Sequence, residues 1–218
     1  MSEEATLEEM LKKGLLSLEE KEKSDHEREK GAYYPSQLGS CLRKQYYEYT
    51  LGEQVTPEEL VIFTTGKRVH EAVAEAFGEV AKVEKVEENV SITISPSLKL
   101  KGRIDLLIAD YDGKKYLIEV KSTSRTPETP YEEHVIQLHI YMQALNYEEG
   151  YVLYWNKVKG EIKVFKVKKD EEVLQKIYER AKKLDYHVSH NIPPEPEALI
   201  EGKYWECEKC PYFNICTS

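Results

Sequence analysis

Two periodicities divide the chain. Over residues 3–30 the apolar positions Leu7, Met10, Leu11, Leu15 and Leu18 recur at helical spacing among Glu and Lys, which predicts a peripheral amphipathic arm. Pro35-Ser36 marks a second start, with Ser36 as the expected N-cap of a short helix. Thr56-Pro57 marks a third, and the pattern stays helical to Phe77. The period then drops to two. "EENVSITISPS", "KLKGRIDLLIAD" and "KKYLIEVKSTS" read as strands, the last two joined through "YDG". "EEHVIQLHIYMQALN" returns to helix, "GYVLYWNKV" and "EIKVFKV" form an expected hairpin, and "DEEVLQKIYERAKKLDYHVSHN" is a long helix that "IPPEPEA" breaks. This order predicts an α/β fold, an α+β mixed sheet flanked by helices.

A chain of 218 residues with 40% hydrophobic content is long enough for such a core and excludes wholesale disorder. No apolar run approaches the ~18 residues of a membrane span. The opening "MSEEATLEEM" has neither the basic start nor the apolar segment of a secretion signal, so a cytoplasmic protein without a membrane partner is expected. The net charge of −9 argues against binding DNA by bulk electrostatics. It leaves a nuclease open, because active-site carboxylates stop repelling phosphate once they hold a divalent metal. Four cysteines, grouped as Cys41 and then Cys207, Cys210 and Cys216, suit metal binding in a reducing compartment better than a disulfide framework.

The chemistry concentrates in "GRIDLLIADYDGKKYLIEVKS". Side chains alternate along a strand, so Leu117, Glu119 and Lys121 share a face. Charges on an apolar face are costly unless paired or metal-bound. Asp105 holds the corresponding place on the preceding strand, between Ile104 and Leu106. A two-residue Asp112-Gly113 turn would set Asp105 against Val120 and leave Glu119 on the other face. A three-residue Tyr111-Asp112-Gly113 turn sets Asp105 opposite Glu119 and needs a left-handed third position, which Gly113 supplies. The three-residue turn is therefore predicted. Two carboxylates with water suit Mg²⁺ or Mn²⁺. Such an ion polarises a phosphodiester and lowers the pKa of an attacking water. Lys121 would orient that water or stabilise the pentavalent phosphate. Taken alone, the pattern also fits ordinary exposed strand charges.

With these pieces in order, the chain resembles the PD-(D/E)XK nuclease superfamily over residues 33–216, in particular its RecB-like branch and the CRISPR-associated protein 4 family. "GKRVH" matches that family's Gly-x-x-x-His helix, which implies His70 as a metal ligand beside Asp105 and Glu119. "GRIDLL" and "IEVKST" supply Asp105, Glu119 and Lys121. "QLHIY" matches a Gln-x-x-x-Tyr element, Gln137 and Tyr141, one turn apart on a helix face. The resemblance sets both among the catalytic group, flanking the site in contact with DNA or bound water. His134 and His139 match nothing in the family and are read as solvated. The implied organisation is an N-terminal helical arm (1–32), a restriction-endonuclease-like core (33–200) and a C-terminal cysteine tail (201–218).

Cys207-x₂-Cys210-x₅-Cys216 leaves one distant partner, Cys41. Structural zinc typically uses two short pairs, and disulfides suit only oxidised protein. The one-plus-three pattern, with Pro211 after a cysteine, matches the [4Fe–4S] nucleases of the resembled family; on the residues alone zinc and disulfides stay open. The implied cluster is expected to be structural. In the chain-entropy picture, closing the chain between Cys41 and Cys207 is worth about 5 kcal/mol.

Arg43, Lys67, Arg68 and Arg125 are the expected phosphate contacts. Tyr46, Tyr47 and Tyr49 either stack bases or pack the short helix. "KSTSRTPETP" is read as a mobile loop at the mouth of the site. The expected function is a metal-dependent DNA exonuclease with a single-strand preference. The resemblance implies DNA ends being prepared as CRISPR spacers, with that pathway's integrase proteins as partners; a homo-oligomer stays open. The rivals are a stand-alone repair or viral RecB-like nuclease and a non-catalytic, zinc-type nucleic-acid-binding module.

Overall fold

A computed structural model of the chain describes residues 3–23, 29, 31–208 and 210–217. Helix α1 (Glu3–Lys23) lies against α3 (Pro57–Gly78) and leaves Leu7, Met10, Leu11 and Leu18 exposed. The rest of the helix expected through residue 30 falls largely outside the described residues. Helix α3 begins where the sequence places its start. Thr56 accepts from the Glu59 N–H, the Glu59 carboxylate accepts from the Thr56 N–H, and Pro57 occupies the first turn, where no N–H is needed.

The second start is not at Ser36. Residues 34–40 fold as successive turns, and α2 (Leu42–Thr50) begins only after Cys41. The turns press on the start of α4 (Glu132–Leu145), so closely that a Cβ on Gly39 would stand 2.5 Å from Glu133 Cβ. The carbonyls of Leu38 and Ser40 are taken by the Arg180 guanidinium, where a helix would have used them internally.

The sheet has six strands: β1 (Ala32–Tyr33), β2 (Lys82–Ser95), β3 (Leu98–Ala109), β4 (Lys115–Thr123), β5 (Glu149–Asn156) and β6 (Glu161–Lys168). β3 pairs antiparallel with β2 along its length. Its other edge is shared, parallel to β1 at Lys99 and Leu100 and antiparallel to β4 from Leu106 to Ala109. β4 runs parallel to β5 with α4 as the crossover, and β5–β6 is the expected hairpin. The short β1 escapes the period-two pattern, and β2 starts five residues before the segment read as a strand.

Helices cover both faces. Val69 and Val73 of α3 pack on Leu106, Ile108, Ile118 and Val120. On the other face Leu138 and Met142 of α4, with Ile177 and Leu184 of α5 (Glu171–His190), cover Leu107, Leu117 and Val152. After α5 the described residues form three short helices, α6 (Glu197–Ile200), α7 (Tyr204–Glu208) and α8 (Phe213–Thr217). No described helix is long and apolar enough to cross a membrane.

Candidate active site

The turn between β3 and β4 sets the register on which the site depends. Asp110 N–H donates to the Lys114 carbonyl at 3.0 Å, Gly113 N–H returns to the Asp110 carbonyl at 3.0 Å, and Gly113 sits at φ +81°. The loop is therefore Tyr111-Asp112-Gly113, with glycine in the left-handed position. The ladder continues through Leu107↔Leu117 to Leu106↔Ile118, one step short of setting Asp105 against Glu119. There the strands part. In an unbroken ladder the Val120 N–H would meet the Ile104 carbonyl; here it donates to Asp105 Oδ2 at 2.7 Å. A side chain replaces a backbone acceptor, and the sheet opens beside it.

Five further groups line this opening. Lys121 Nζ lies 2.7 Å from Glu119 Oε1 and donates to Gln137 Oε1 at 3.0 Å. Gln137 Nε2 in turn donates to the Tyr141 hydroxyl at 2.9 Å. α4 supplies Gln137 and Tyr141, and a Cβ on Gly102 would come within 2.7 Å of the Tyr141 ring, so glycine in "GRID" lets the ring settle on β3. From the opposite layer α3 brings His70, its Nδ1 3.4 Å from Asp105 Oδ1.

The electrostatics are those of charges taken out of water. Glu119 is only 1% exposed, and burial, reinforced by the Asp105 charge, holds its carboxyl well above the usual range. Burial raises Asp105 as well. Although burial opposes its charge, the two carboxylates hold the Lys121 ammonium above its ordinary value. Burial pushes His70 down, toward the neutral imidazole that a metal ligand requires. The Lys121 ammonium, 2.7 Å from Oε1, is the close cationic neighbour of the buried Glu119 carboxyl among the described residues. Two carboxylates beside a neutral imidazole form an oxygen-rich donor set suited to Mn²⁺ or Mg²⁺. Among the described residues no three His, Cys, Asp or Glu side chains are grouped closely enough to hold an ion as they stand.

A second cluster lies at the end of the chain. Cys41, Cys207, Cys210 and Cys216 are free thiols lining one cavity with Arg43 and Tyr47. Burial and the neighbouring cysteines push the Cys207 thiol up, and burial does the same to Cys210. The Cys41 N–H donates to Glu206 Oε2 at 2.8 Å, and Arg43 Nη1 donates to the Cys216 carbonyl at 3.1 Å, 3.8 Å from its sulfur. Four free thiols around one cavity are a donor set for a soft metal centre.

The profile of the PD-(D/E)XK nuclease superfamily matches residues 76–217, most of the chain. This protein belongs to that superfamily. The CRISPR-associated exonuclease Cas4 of Saccharolobus solfataricus is 24% identical over 215 residues, 95% of this chain and 98% of its own length. The crystal structure of SSO0001 superposes with a TM-score of 0.69 at 22% identity over 94% of each chain. An alkaline exonuclease, LHK-Exo of Laribacter hongkongensis, superposes with a TM-score of 0.52 at 13% identity over 81% of this chain and 95% of its own.

Within this superfamily member several sequence expectations change. Arg43 is not offered to phosphate; its guanidinium is spent on Cys216 and the Pro194 carbonyl. Lys67, Arg68 and Arg125 are exposed, Arg68 in an ion pair with Glu71. Tyr46 and Tyr47 are buried, Tyr47 against the Tyr212 ring, so these two pack. The segment after Lys121 is tied to the β5–β6 hairpin, through Thr126 to Asn156 and Glu161 and through Lys163 to the Pro127 carbonyl. His134 and His139 are not solvated. His139 is 2% exposed, with Nδ1 on the Val135 carbonyl, and half-buried His134 meets the Tyr154 hydroxyl. Sequence reasoning also missed Glu87, whose charge acts on Asp105 and His70 from a left-handed position on β2. A non-glycine at positive φ leaves no mark in a strand pattern.

Proposed function

We propose that this protein is a divalent-cation-dependent DNA exonuclease that prefers single-stranded ends and hydrolyses phosphodiester bonds. The observation that carries this reading is the meeting of Asp105, Glu119 and Lys121 at the point where β3 and β4 part, with Glu119 buried beside the lysine. Asp105, Glu119 and His70 would hold Mn²⁺ or Mg²⁺, which supplies charge neutralisation and an activated water when bound. The residues of the chain do the rest. Lys121, pinned between Glu119 and Gln137, offers its ammonium to the phosphate as negative charge builds. Tyr141 fixes Gln137, and Gln137 fixes the lysine.

Cys41, Cys207, Cys210 and Cys216 would hold a [4Fe–4S] cluster that secures the tail to α2, consistent with four free thiols around one cavity. The likeness to a CRISPR-associated exonuclease over 95% of the chain supports a place in CRISPR adaptation, trimming DNA ends before that pathway's integrase proteins receive them.

The test is release of nucleotides from end-labelled single strands by anaerobically purified protein in Mn²⁺, beside Glu119→Ala, with iron and zinc counted. Cutting by the wild type alone, from protein holding about four irons, supports the reading. A zinc-loaded protein that binds DNA without cutting it would replace it with a binding module. Genomic neighbours outside CRISPR loci, with the same activity, would replace the pathway by repair.

A further inference from the structure

Beside the lysine stands a pair that the mechanism above does not use. Lys121 on β4 and Tyr154 on β5 are register neighbours, so Tyr154 lies on the same sheet face, next to the site. Its hydroxyl is fully buried and accepts the Tyr131 N–H at 3.0 Å. The second contact of that hydroxyl is His134 Nδ1 at 2.7 Å. A phenol has one proton, and a fully buried one cannot give it to bulk water. Among the described residues the acceptor at hand is His134 Nδ1, so the neutral ring carries its own proton on Nε2.

Three further observations give that N–H a direction of use. His134, Gln137 and Tyr141 are spaced three and four apart on α4, one continuous face running past the site. Nε2 has no protein acceptor among the described residues, and the ring is half-buried rather than sealed. Burial, then the nearby Lys121 charge, push the imidazole down to about 3, so it stays neutral beside the ammonium instead of repelling it.

We propose that His134 is a substrate-binding residue of this site, its Nε2–H held by the Tyr154 hydroxyl and offered to a phosphate oxygen of the single strand next to the scissile one. Tyr154 is then a positioning residue that selects the tautomer. The proposal rests on the nuclease reading for its substrate. Its chemistry asks for a phosphodiester anion, a hydrogen-bond acceptor that the neutral donor meets without a second cation.

The experiment measures binding of a fluorescent single-stranded oligonucleotide by Glu119→Gln protein, alone and combined with His134→Ala, His134→Gln or Tyr154→Phe. KM and kcat in Mn²⁺ are measured for the same substitutions in otherwise wild-type protein. His134→Ala is expected to weaken binding and raise KM about tenfold, the size of one hydrogen bond to a charged acceptor, with kcat within about threefold. His134→Gln, which can accept from Tyr154 and still donate, is expected to recover most of the loss. The dependence of affinity on salt should keep its slope, because a neutral donor releases no counterion. Nitrogen NMR of the wild type should show the Nε2–H tautomer, and Tyr154→Phe should mix the two.

Unchanged affinity in His134→Ala, a salt slope that falls with the substitution, or an Nδ1–H tautomer in the wild type would each overturn the proposal. The tautomer and the Gln variant decide the matter even where the Ala variant folds poorly. Wild-type protein that binds the strand but never cuts it would sink the nuclease reading and leave the His134 comparison valid; protein that neither binds nor cuts would sink both.

Discussion

Replacing Glu197 with alanine should unfasten the cysteine tail, and the size of the effect follows from its contacts. The carboxylate accepts from Arg180 Nη1 at 2.5 Å, Arg180 Nη2 at 2.6 Å and the Leu42 N–H at 2.9 Å. Arg180 holds the Leu38 and Ser40 carbonyls with its remaining donors. One ion pair therefore joins α5, the turns before Cys41, the first turn of α2 and α6, the helix that leads into the tail. Hydrogen bonds to charged groups are worth about 1.5–3 kcal/mol each when dry. The side chains are 25% and 26% exposed, so water replaces part of this. Allowing about 1 kcal/mol for each of the two screened Arg180 bonds and about 1 for the orphaned Leu42 N–H gives about 3 kcal/mol.

For a domain of this length that loss lowers the melting temperature by roughly 6–12 °C. Burial pushes Glu197 up, but Arg180 and Leu42 more than offset it and hold the carboxylate below its ordinary value. The stabilisation is therefore complete above the unfolded value of 4.5 and is lost as pH falls through the folded one. Thermal unfolding followed by far-ultraviolet circular dichroism at pH 7 and pH 4 checks both, alongside iron content. A variant melting within about 2 °C of wild type at pH 7 would refute this account of how the tail is held.

Three other outcomes are expected. Burial keeps Asp105 and Glu119 protonated in the metal-free fold beyond the point where the unfolded chain releases those protons. Metal-free stability should therefore fall as pH rises between about 4 and about 8, and Mn²⁺ should raise the melting temperature more at pH 8 than at pH 6; an equal shift at both would refute the linkage. Gly102→Ala places a Cβ 2.7 Å from the Tyr141 ring and 3.3 Å from Pro35, which should cost about 1–3 kcal/mol and at least tenfold in kcat by displacing Gln137 from Lys121, measured by melting and nucleotide release; wild-type turnover would separate Tyr141 from the lysine. At Glu87, φ 48°, glycine should be tolerated in a melting assay while valine costs about 1–2 kcal/mol more; equal stabilities would show that the backbone relaxes there.

The elements were legible because each rested on local physics. The capping box at Thr56 and the glycine at position 113 are short-range rules, and both are satisfied in the folded chain. The three-residue turn then carried the register, and with it the placement of Asp105 near Glu119, from a glycine alone. What escaped depends on distant partners. Ser36 has a good capping side chain, but Arg180 claims the carbonyls that a helix there would need. Arg43 carries a phosphate-binding fork that Pro194 and Cys216 occupy from the far end of the chain. His134 was unreadable because its role is set by Tyr154, twenty residues on and a strand away from the lysine they flank.

The site lies where the sheet cannot be regular, and that is why buried charges persist there. One edge of β3 is served by β1 at Lys99 and Leu100 and by β4 from Leu106 onward, leaving the stretch between unpaired on that side. Opposite, the β2 pairing passes from Val86↔Leu106 to Glu88↔Ile104 and skips the left-handed Glu87. The alternation of β3 breaks at the same point, for Ile104 and Leu107, three residues apart, both enter the core on the α4 side. Asp105 is the residue between the two phases. Held within a regular ladder it would point into one layer or the other and be either fully buried or fully paired. At the break it accepts the orphaned Val120 N–H with one oxygen and turns the other toward His70, which reaches it from the opposite layer. A carboxylate fixed in this way keeps its place without a cation and still has an oxygen to give one.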